Sequence, residues 1–220
     1  MNIHSLGDLR QMQSLPLQVK IRMTKERIRK WYEYWDGNVY VSFSGGKDST
    51  VLLHIVRSLY PDVKAVFSDT GLEYPEVRSF VIKQENVTVI KPKMNFKQVI
   101  TKYGYSLPTK DIAEKIYYAK KGSSWAQKFI NGTAVDAEGR PSRYAVSKRW
   151  LKLLDAPFEV SSYCCDVMKK QPFHSYESKT GCKPIVGTMA CESNLREQQW
   201  MRTAGMLLKE SKYQRLCHFG

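Results

Sequence analysis

The chain has 220 residues, of which 42% are hydrophobic and 25% are charged. This length can bury one sizeable core, and no stretch approaches the roughly 18 apolar residues of a membrane span, which argues against a membrane protein. A total of 35 Lys and Arg against 21 Asp and Glu gives a formal net charge of +14. Such an excess favours a polyanionic partner such as nucleic acid, or a small anionic substrate.

Apolar residues recur with helical and strand periods in alternation along the first part of the chain. Residues 1–36 predict a basic helical segment, with helical spacing from Leu17 to Trp35. Strands are then predicted at residues 38–43, 63–68 and 86–90, and helices at 48–60 and 75–84. Short apolar strands separated by helices predict a parallel sheet flanked by helices, a Rossmann-like α/β fold. Its ligand is expected beyond the carboxyl ends of the strands.

The remaining residues predict a less regular, partly helical arrangement. Two helices flank a Gly-Ser break at 111–130, a polar loop follows at 131–143, and a short helix covers 146–155. The last third predicts a helix from about Asp166, a strand at 183–189 and a helix from Glu192. Residues 102–152 contain eleven basic and four acidic side chains, which gives a local excess of positive charge of +7. This excess fits a solvated basic face and a phosphate-binding surface equally well.

The corner between the first predicted strand and its helix has the composition of an anion site. Its residues are Ser44, Gly45, Gly46, Lys47, Asp48 and Ser49. Unpaired backbone N–H groups and the positive end of a helix dipole meet a lysine here, and the glycines let an anion approach the backbone. Ser44 and Ser49 add hydroxyl donors. The pattern therefore predicts a phosphate-binding loop. It is not a Walker A loop, because Val41 and Asp48 stand where that motif requires Gly and Ser or Thr.

The order of these residues resembles a known superfamily. Ser-Gly-Gly-Lys-Asp-Ser matches the SGGxDS fingerprint of the PP-loop (N-type ATP pyrophosphatase) superfamily residue for residue. Three further segments resemble its phosphoadenosine phosphosulfate (PAPS) reductase branch: FSDTGLEYPEV at 67–77, CCDVMKKQP at 164–172 and GTMACESNLR at 187–196. The resemblance implies an adenine nucleotide alpha hydrolase-like fold. It also implies an enzyme that binds ATP and cleaves it between the α- and β-phosphates.

The resemblance and the residue chemistry together nominate nucleotide-binding and catalytic residues. Lys47 is expected to stabilise charge on the leaving pyrophosphate, and Asp48 to help hold the Mg²⁺ that accompanies ATP. Asp69, Thr70 and Gly71, after the second predicted strand, are expected to meet a ribose or a base. A turn-capping role for Asp69 is the structural alternative.

A second group of residues is nominated for binding a sulfate or phosphate group. It comprises Lys169, Lys170, Glu192, Ser193 and Arg196. The spacing from Glu192 to Arg196 predicts an acid and a guanidinium on one face of a helix. A surface ion pair produces the same pattern and is the structural alternative.

The adjacent Cys164 and Cys165 allow two interpretations. Adenylylsulfate reductases of the resembled branch supply two adjacent cysteines and a later C-x-x-C to an iron–sulfur cluster, but the later C-x-x-C is missing here. Packing as small hydrophobic side chains is the favoured interpretation and a cluster the less favoured one. The branch's redox-active E-C-G-[LI]-H tail is also missing. Five cysteines without regular spacing and a start without a signal-peptide core predict a cytoplasmic protein.

Residues 203–220 depart from the resembled pattern. A one-base shift in a codon choice for residues 215–220 encodes Pro-Leu-Ser-Phe-Trp, a segment that the resemblance leads us to expect. We therefore expect residues 37–202 to form the PP-loop domain and residues 203–220 to be an out-of-frame or truncated tail. Cys217 and His218 are then not a site. Residues after about Ala204 are expected to pack poorly or against a neighbouring chain, as in a homodimer.

These observations predict a PAPS reductase-family enzyme that binds ATP or a related adenine nucleotide and acts at its α-phosphate or at a sulfonucleotide. The glycine-rich fingerprint favours ATP over PAPS. Two alternatives stay open: a PP-loop enzyme that modifies nucleic acid, through tRNA thiolation or DNA phosphorothioation, and a nucleotide-binding remnant without catalysis.

Overall fold

The computed structural model describes residues 4–136, 139–203 and 217–218. Within these ranges the strands are β1 (Val39–Ser42), β2 (Ala65–Ser68), β3 (Val87–Ile90), β4 (Lys183–Val186) and β5 (Cys217–His218). The α-helices are α1 (Leu6–Ser14), α2 (Leu17–Tyr34), α3 (Lys47–Arg57), α4 (Pro75–Ile82), α5 (Phe96–Tyr103), α6 (Lys110–Lys120), α7 (Ser124–Ile130), α8 (Lys148–Leu151), α9 (Tyr163–Cys165), α10 (Gln171–Thr180) and α11 (Asn194–Thr203). Shorter helical turns lie at Lys152–Asp155, Asp166–Lys170 and Ala190–Glu192, the second with π-helical hydrogen bonding.

The strands form one parallel sheet in the order β3-β2-β1-β4-β5. Val41 of β1 lies opposite Ala65 of β2 on one side and Ile185 of β4 on the other. All four residues of β2 are buried, which is typical of strands covered on both faces. The parallel α/β fold predicted from the sequence is confirmed.

Helix α3 is held against the sheet by its apolar face. Leu52, Leu53 and Val56 are buried in the same core as Val41 and Phe43. Burial of each leucine or valine side chain contributes about 1.5–3 kcal/mol. The start of α3 is therefore fixed relative to the end of β1, and the loop between them has two rigid ends.

The chain forms two compact units. Unit 1 comprises the described residues up to Asp69, Glu73–Ile90 and those from Phe173 onward, and it contains the sheet. Unit 2 comprises residues 70–72 and 91–172, with a core of Ala113, Ile116, Val146, Leu153 and Val160. Helices α1 and α2 belong to unit 1. The domain boundary expected after residue 36 stays a prediction.

The structure differs from the sequence-based elements at two helices. The helix expected from Glu192 begins at Asn194, because the Glu192 carboxylate accepts the Met189 N–H at 3.0 Å and closes a separate turn. Helix α5 was not predicted. Its signal was a capping box in which Asn95 and Gln98 exchange side-chain hydrogen bonds with each other's backbone N–H groups, both at 2.9 Å.

Helix length and polarity bear on membrane insertion. Among the described residues, every helix is too short or too polar to cross a bilayer.

Candidate functional site

The loop between β1 and α3 is held in shape by two serine hydroxyl groups. Ser49 Oγ donates to the Gly46 carbonyl at 3.0 Å and accepts the Ser44 N–H at 3.2 Å. The Ser44 hydroxyl lies 3.1 Å from that of Ser49 and accepts the Gly46 N–H at 3.4 Å. Ser49 is only 7% exposed. Its hydroxyl therefore shapes the loop from within, whereas the exposed Ser44 faces solvent.

The first turn of α3 provides backbone donors at this corner. The helix begins at Lys47, and Gly46 caps it without a side-chain hydrogen bond to the first turn. The first N–H groups of a helix have no acceptor within it and carry partial positive charge. The corner thus combines backbone donors, a short loop and a lysine at the carboxyl end of a central strand.

Gly45 is required at its position for two reasons. Its φ of +76° is a conformation that side chains with a Cβ rarely adopt. A Cβ would also lie 2.6 Å from Val81 Cγ2 and 2.9 Å from Val77 Cγ1 on α4. The loop backbone therefore packs directly on α4, which determines the path that it takes towards α3.

Lys47 and Asp48 lie at the solvent-facing side of the corner. The Lys47 side chain is 87% exposed and that of Asp48 is 40% exposed, with Nζ and Oδ1 3.9 Å apart. Exposed pairs at this distance contribute little to stability. Both side chains are therefore available to a ligand at little cost to the fold.

Gly187, which follows β4, contacts the same turn of α3. A Cβ at Gly187 would lie 3.4 Å from the Asp48 carbonyl oxygen and 3.3 Å from Leu52 Cδ2. The first glycine of the segment GTMACESNLR thus permits close approach of the chain to the start of α3. The sequence had assigned this glycine no role, although its place at a strand end was a usable signal.

Asp69 lies at the end of β2 and is bound by an arginine that the sequence analysis missed. Arg78 of α4 donates to Asp69 Oδ2 from Nε and from Nη2, each at 3.0 Å. The Asp69 side chain is 6% exposed and that of Arg78 is 48% exposed. The signal was available, because Arg78 lies one residue after the segment FSDTGLEYPEV.

Thr70 and Gly71 belong to unit 2. Thr70 is 8% exposed, and its Oγ1 accepts the Leu72 N–H at 3.3 Å. Gly71 has a φ of +75°, and a Cβ there would meet no atom within 4 Å. These two residues form a tight turn in which only the second position is open to solvent. Their role towards a nucleotide stays a prediction.

Glu192, Ser193 and Arg196 lie close together in unit 1. Glu192 pairs with the Arg196 guanidinium through Oε2 and Nη1. The Ser193 hydroxyl accepts the Arg196 N–H at 3.3 Å, so that Ser193 caps α11. The surface ion pair considered from the sequence is therefore present. Anion binding by these residues stays a prediction that requires Arg196 to release or share Glu192.

Lys169 and Lys170 lie in the π-helical turn of unit 2. Lys170 Nζ pairs with Asp166 Oδ1 at 2.6 Å, and its side chain is 59% exposed. Lys169 is also exposed. A π-helical turn is frequent at functional sites, and the anion-binding role expected for both lysines stays a prediction.

The paired cysteines lie on α9 against apolar side chains. Cys164 packs on a cluster of Val99, Val167 and Met168. Burial, followed by the neighbouring Cys165, raises the pKa of the Cys164 thiol. Cluster ligands are thiolates, so this environment suits a protonated, packed thiol better than a ligand. Among the described residues, His, Cys, Asp and Glu form no group of three or more that would hold a metal.

Comparison with known proteins shows which proteins the region around this loop resembles. Residues 38–129 match the family model of the phosphoadenosine phosphosulfate reductase domain. An uncharacterized protein of Methanocaldococcus jannaschii is 39% identical over 92 residues, which are 38% of this chain and 22% of that protein. The adenosine 5'-phosphosulfate reductase of Staphylococcus epidermidis is 27% identical over 100 residues, 42% of this chain and 41% of that enzyme. The phosphoadenosine 5'-phosphosulfate reductase of Photorhabdus laumondii is 32% identical over 67 residues, 30% of this chain and 28% of that enzyme.

Residues 38–129, 92 of the 220 residues, are therefore similar to the PAPS reductase domain. The chain spans less than half the length of each of these relatives. The matched region contains the loop at 44–49 and Asp69 to Gly71, and it ends before the paired cysteines and Arg196. The family match therefore concerns the expected nucleotide-binding part.

Proposed function

We propose that the loop of residues 44–49 binds the phosphates of an adenine nucleotide, with ATP as the preferred ligand. The observation that carries the proposal is the loop's construction. Buried Ser49 holds the backbone, Gly45 permits its path, and α3 begins at Lys47 with its first N–H groups directed out of the helix. An anion at this corner is stabilised by those groups and by the lysine.

Two side chains supply the proposed chemistry. An acceptor oxygen attacks the α-phosphorus, the bond to the bridging oxygen breaks, and pyrophosphate leaves. Lys47 stabilises the charge that develops on pyrophosphate. Mg²⁺ commonly binds through one or two carboxylates together with substrate phosphates, so the half-exposed Asp48 suits it, and the ion would offset phosphate charge during the attack.

We propose that the protein also binds a small oxyanion. Arg196 of unit 1 and Lys169 of unit 2 are each suited to a sulfate or phosphate group, since a guanidinium offers two parallel donors and an ammonium offers a compact charge. The S. epidermidis and P. laumondii relatives are named for reduction of sulfonucleotides. Adenylylsulfate and PAPS are therefore the competing nucleotides. With the cysteines and composition described above, we propose a cytoplasmic setting for this activity.

Parallel calorimetric titrations with ATP, PAPS and adenylylsulfate, with and without Mg²⁺, test the proposal. The expected result is tightest binding of ATP with Mg²⁺, together with pyrophosphate release once an acceptor is present. Lys20→Ala is a matched control for loss of one exposed lysine, since Lys20 lies on α2, away from the loop in sequence. Failure of all three nucleotides to bind would contradict the proposal.

A second candidate is a PP-loop enzyme that modifies nucleic acid. The observation that favours it is the local excess of +7 over residues 102–152. Binding of ATP without any pyrophosphate release, even with RNA or DNA present, would instead favour a nucleotide-binding protein without catalysis.

A further inference from the structure

Unit 2 contains a continuous series of aromatic side chains. We name it the aromatic row, and it consists of Tyr103, Tyr163, Tyr117, Tyr118, Trp125 and Phe129. Successive ring centroids along it are 5.2, 5.1, 5.3, 6.3 and 5.2 Å apart. Its two most open members are Trp125, which is 48% exposed, and Tyr118, which is 37% exposed. Contiguous exposed apolar surface commonly marks a site of interaction.

The turn between α6 and α7 brings the two exposed rings together. Gly122, just after the end of α6, has a φ of +77°. Its N–H donates to the Ala119 carbonyl at 3.0 Å, and the Ser123 N–H donates to the Tyr118 carbonyl at 2.9 Å. This pattern is a Schellman motif, which reverses the chain tightly. Helix α7 therefore starts beside the end of α6, and Trp125 meets Tyr118 edge to face.

Lysine side chains border the aromatic row. Lys121 Nζ lies 4.9 Å from the Tyr117 ring centroid, and Lys102 Nζ lies 5.3 Å from that of Tyr103. Between residues 102 and 152, the ion pairs within the described part of the chain are Lys115 with Asp111 and Arg140 with Asp136. The other basic side chains of this stretch are Lys102, Lys110, Lys120, Lys121, Lys128, Arg143, Lys148, Arg149 and Lys152. Their charge is not neutralised by those pairs.

We propose that the aromatic row and its bordering lysines bind single-stranded nucleic acid, with bases stacking on Trp125 and Tyr118 and phosphates contacting Lys120 and Lys121. Rings of this kind bind bases whose faces are open, as in single strands, because a duplex keeps its bases stacked. The local excess of +7 complements a polyanion and disfavours a second copy of the same basic unit. This surface lies wholly in unit 2, whereas the proposed nucleotide loop lies in unit 1.

Fluorescence anisotropy with a labelled oligouridylate of about 20 nucleotides tests the proposal, since such a strand exceeds the site size of typical single-strand binders. Trp125→Ala is expected to weaken binding at least about fivefold, and Trp125→Tyr, which keeps a ring, to retain most of the affinity. Lys121→Ala is expected to lower the slope of log affinity against log salt by roughly one phosphate contact. Tyr34→Ala, which removes a 49% exposed ring from α2, is the matched control and should change neither quantity.

Three outcomes would overturn the proposal. They are unchanged oligouridylate affinity in Trp125→Ala, equal affinity for a duplex of the same length, and equal affinity for polyglutamate or anionic phospholipid vesicles. Lys47→Ala distinguishes this proposal from nucleotide binding at the loop, because it should leave oligouridylate binding intact. A Lys47→Ala variant that loses ATP binding but keeps oligouridylate binding would therefore be consistent with the proposed surface.

Discussion

Arg78 of α4 holds the Asp69 carboxylate at the end of β2 through two donors, both 3.0 Å from Oδ2. The carboxylate is almost fully buried and the guanidinium half exposed. A buried carboxylate is stable only when hydrogen-bonded donors compensate its charge. The pair therefore orients Asp69 and links α4 to the strand end where a nucleotide is expected.

Removal of Arg78 is expected to destabilise unit 1. Arg78→Ala should lower the free energy of unfolding by about 1.5–3 kcal/mol, the range for hydrogen bonds to a charged group. Urea unfolding measures the change. The matched control is Arg29→Ala, because the Arg29–Glu26 pair is exposed on both sides and should contribute less than about 1 kcal/mol. Strict additivity of Arg78→Ala and Asp69→Asn in a double-mutant cycle would contradict the coupling.

Substitutions at the exposed side of the loop should separate binding from stability. Lys47→Ala and Asp48→Ala are each expected to weaken ATP binding at least about tenfold. The melting temperature should change little, because both side chains lie outside the core. Calorimetry and thermal unfolding of the same samples measure the two effects. Unchanged ATP affinity in both variants would refute the assignment of the loop.

Gly45→Ala tests the contact between the loop and α4. Gly181 provides a matched control, since its φ of +74° is nearly that of Gly45, but a Cβ at Gly181 meets nothing within 4 Å. Gly181→Ala should cost about 1 kcal/mol for the backbone conformation alone. Gly45→Ala should cost distinctly more and weaken ATP binding, because Val77 and Val81 must move. Equal losses in thermal unfolding would show that the contact contributes nothing.

The environment of Cys164 predicts slow alkylation. Burial raises the pKa of its thiol, so at a given pH less of the reactive thiolate is present. Cys191 is exposed and serves as the internal reference. Mass spectrometry after brief iodoacetamide treatment should show Cys191 modified well before Cys164. The protein should also be colourless after anaerobic purification, whereas visible absorbance with stoichiometric iron would establish a cluster.

The same pKa shift has a consequence for stability. The thiol of Cys164 ionises more readily in the unfolded chain than in the folded one. Its contribution to stability is therefore present below the ordinary thiol pKa and is lost as the pH rises above it. The resulting decrease in the free energy of unfolding therefore falls in alkaline conditions, and this pH dependence should vanish in Cys164→Ala.

The tail falls mostly outside the described residues. Positions 204–216 and 219–220, which include most of the residues expected to be out of frame, lie outside the described residues. Cys217 and His218 form β5, opposite Ile185 and Val186. The frame change therefore stays a prediction.

Local patterns in the sequence were sufficient to predict the parallel α/β fold, and they also gave the hypothesis of a phosphate-binding loop. Alternation of short apolar strands with helices predicts parallel pairing, because parallel neighbours need a crossover between them. The phosphate-binding loop could be predicted because Gly-Gly-Lys between a strand and a helix is typical of anion sites, and because its residues are contiguous in the sequence. Both features depend on neighbours within a few positions of one another.

Tertiary structure decided the features that join distant parts of the chain. Packing of Gly45 on Val81 and the contact of Gly187 with the start of α3 follow only once helices and strands are placed in three dimensions. The aromatic row is of the same kind, since Tyr103 and Tyr163 are sixty residues apart in the numbering and stack face to face. Periodicity reports which face of an element is apolar, but it contains no information on which other element that face will meet. Long-range packing supplies that information, because only in the folded chain do side-chain volumes and charges select their partners.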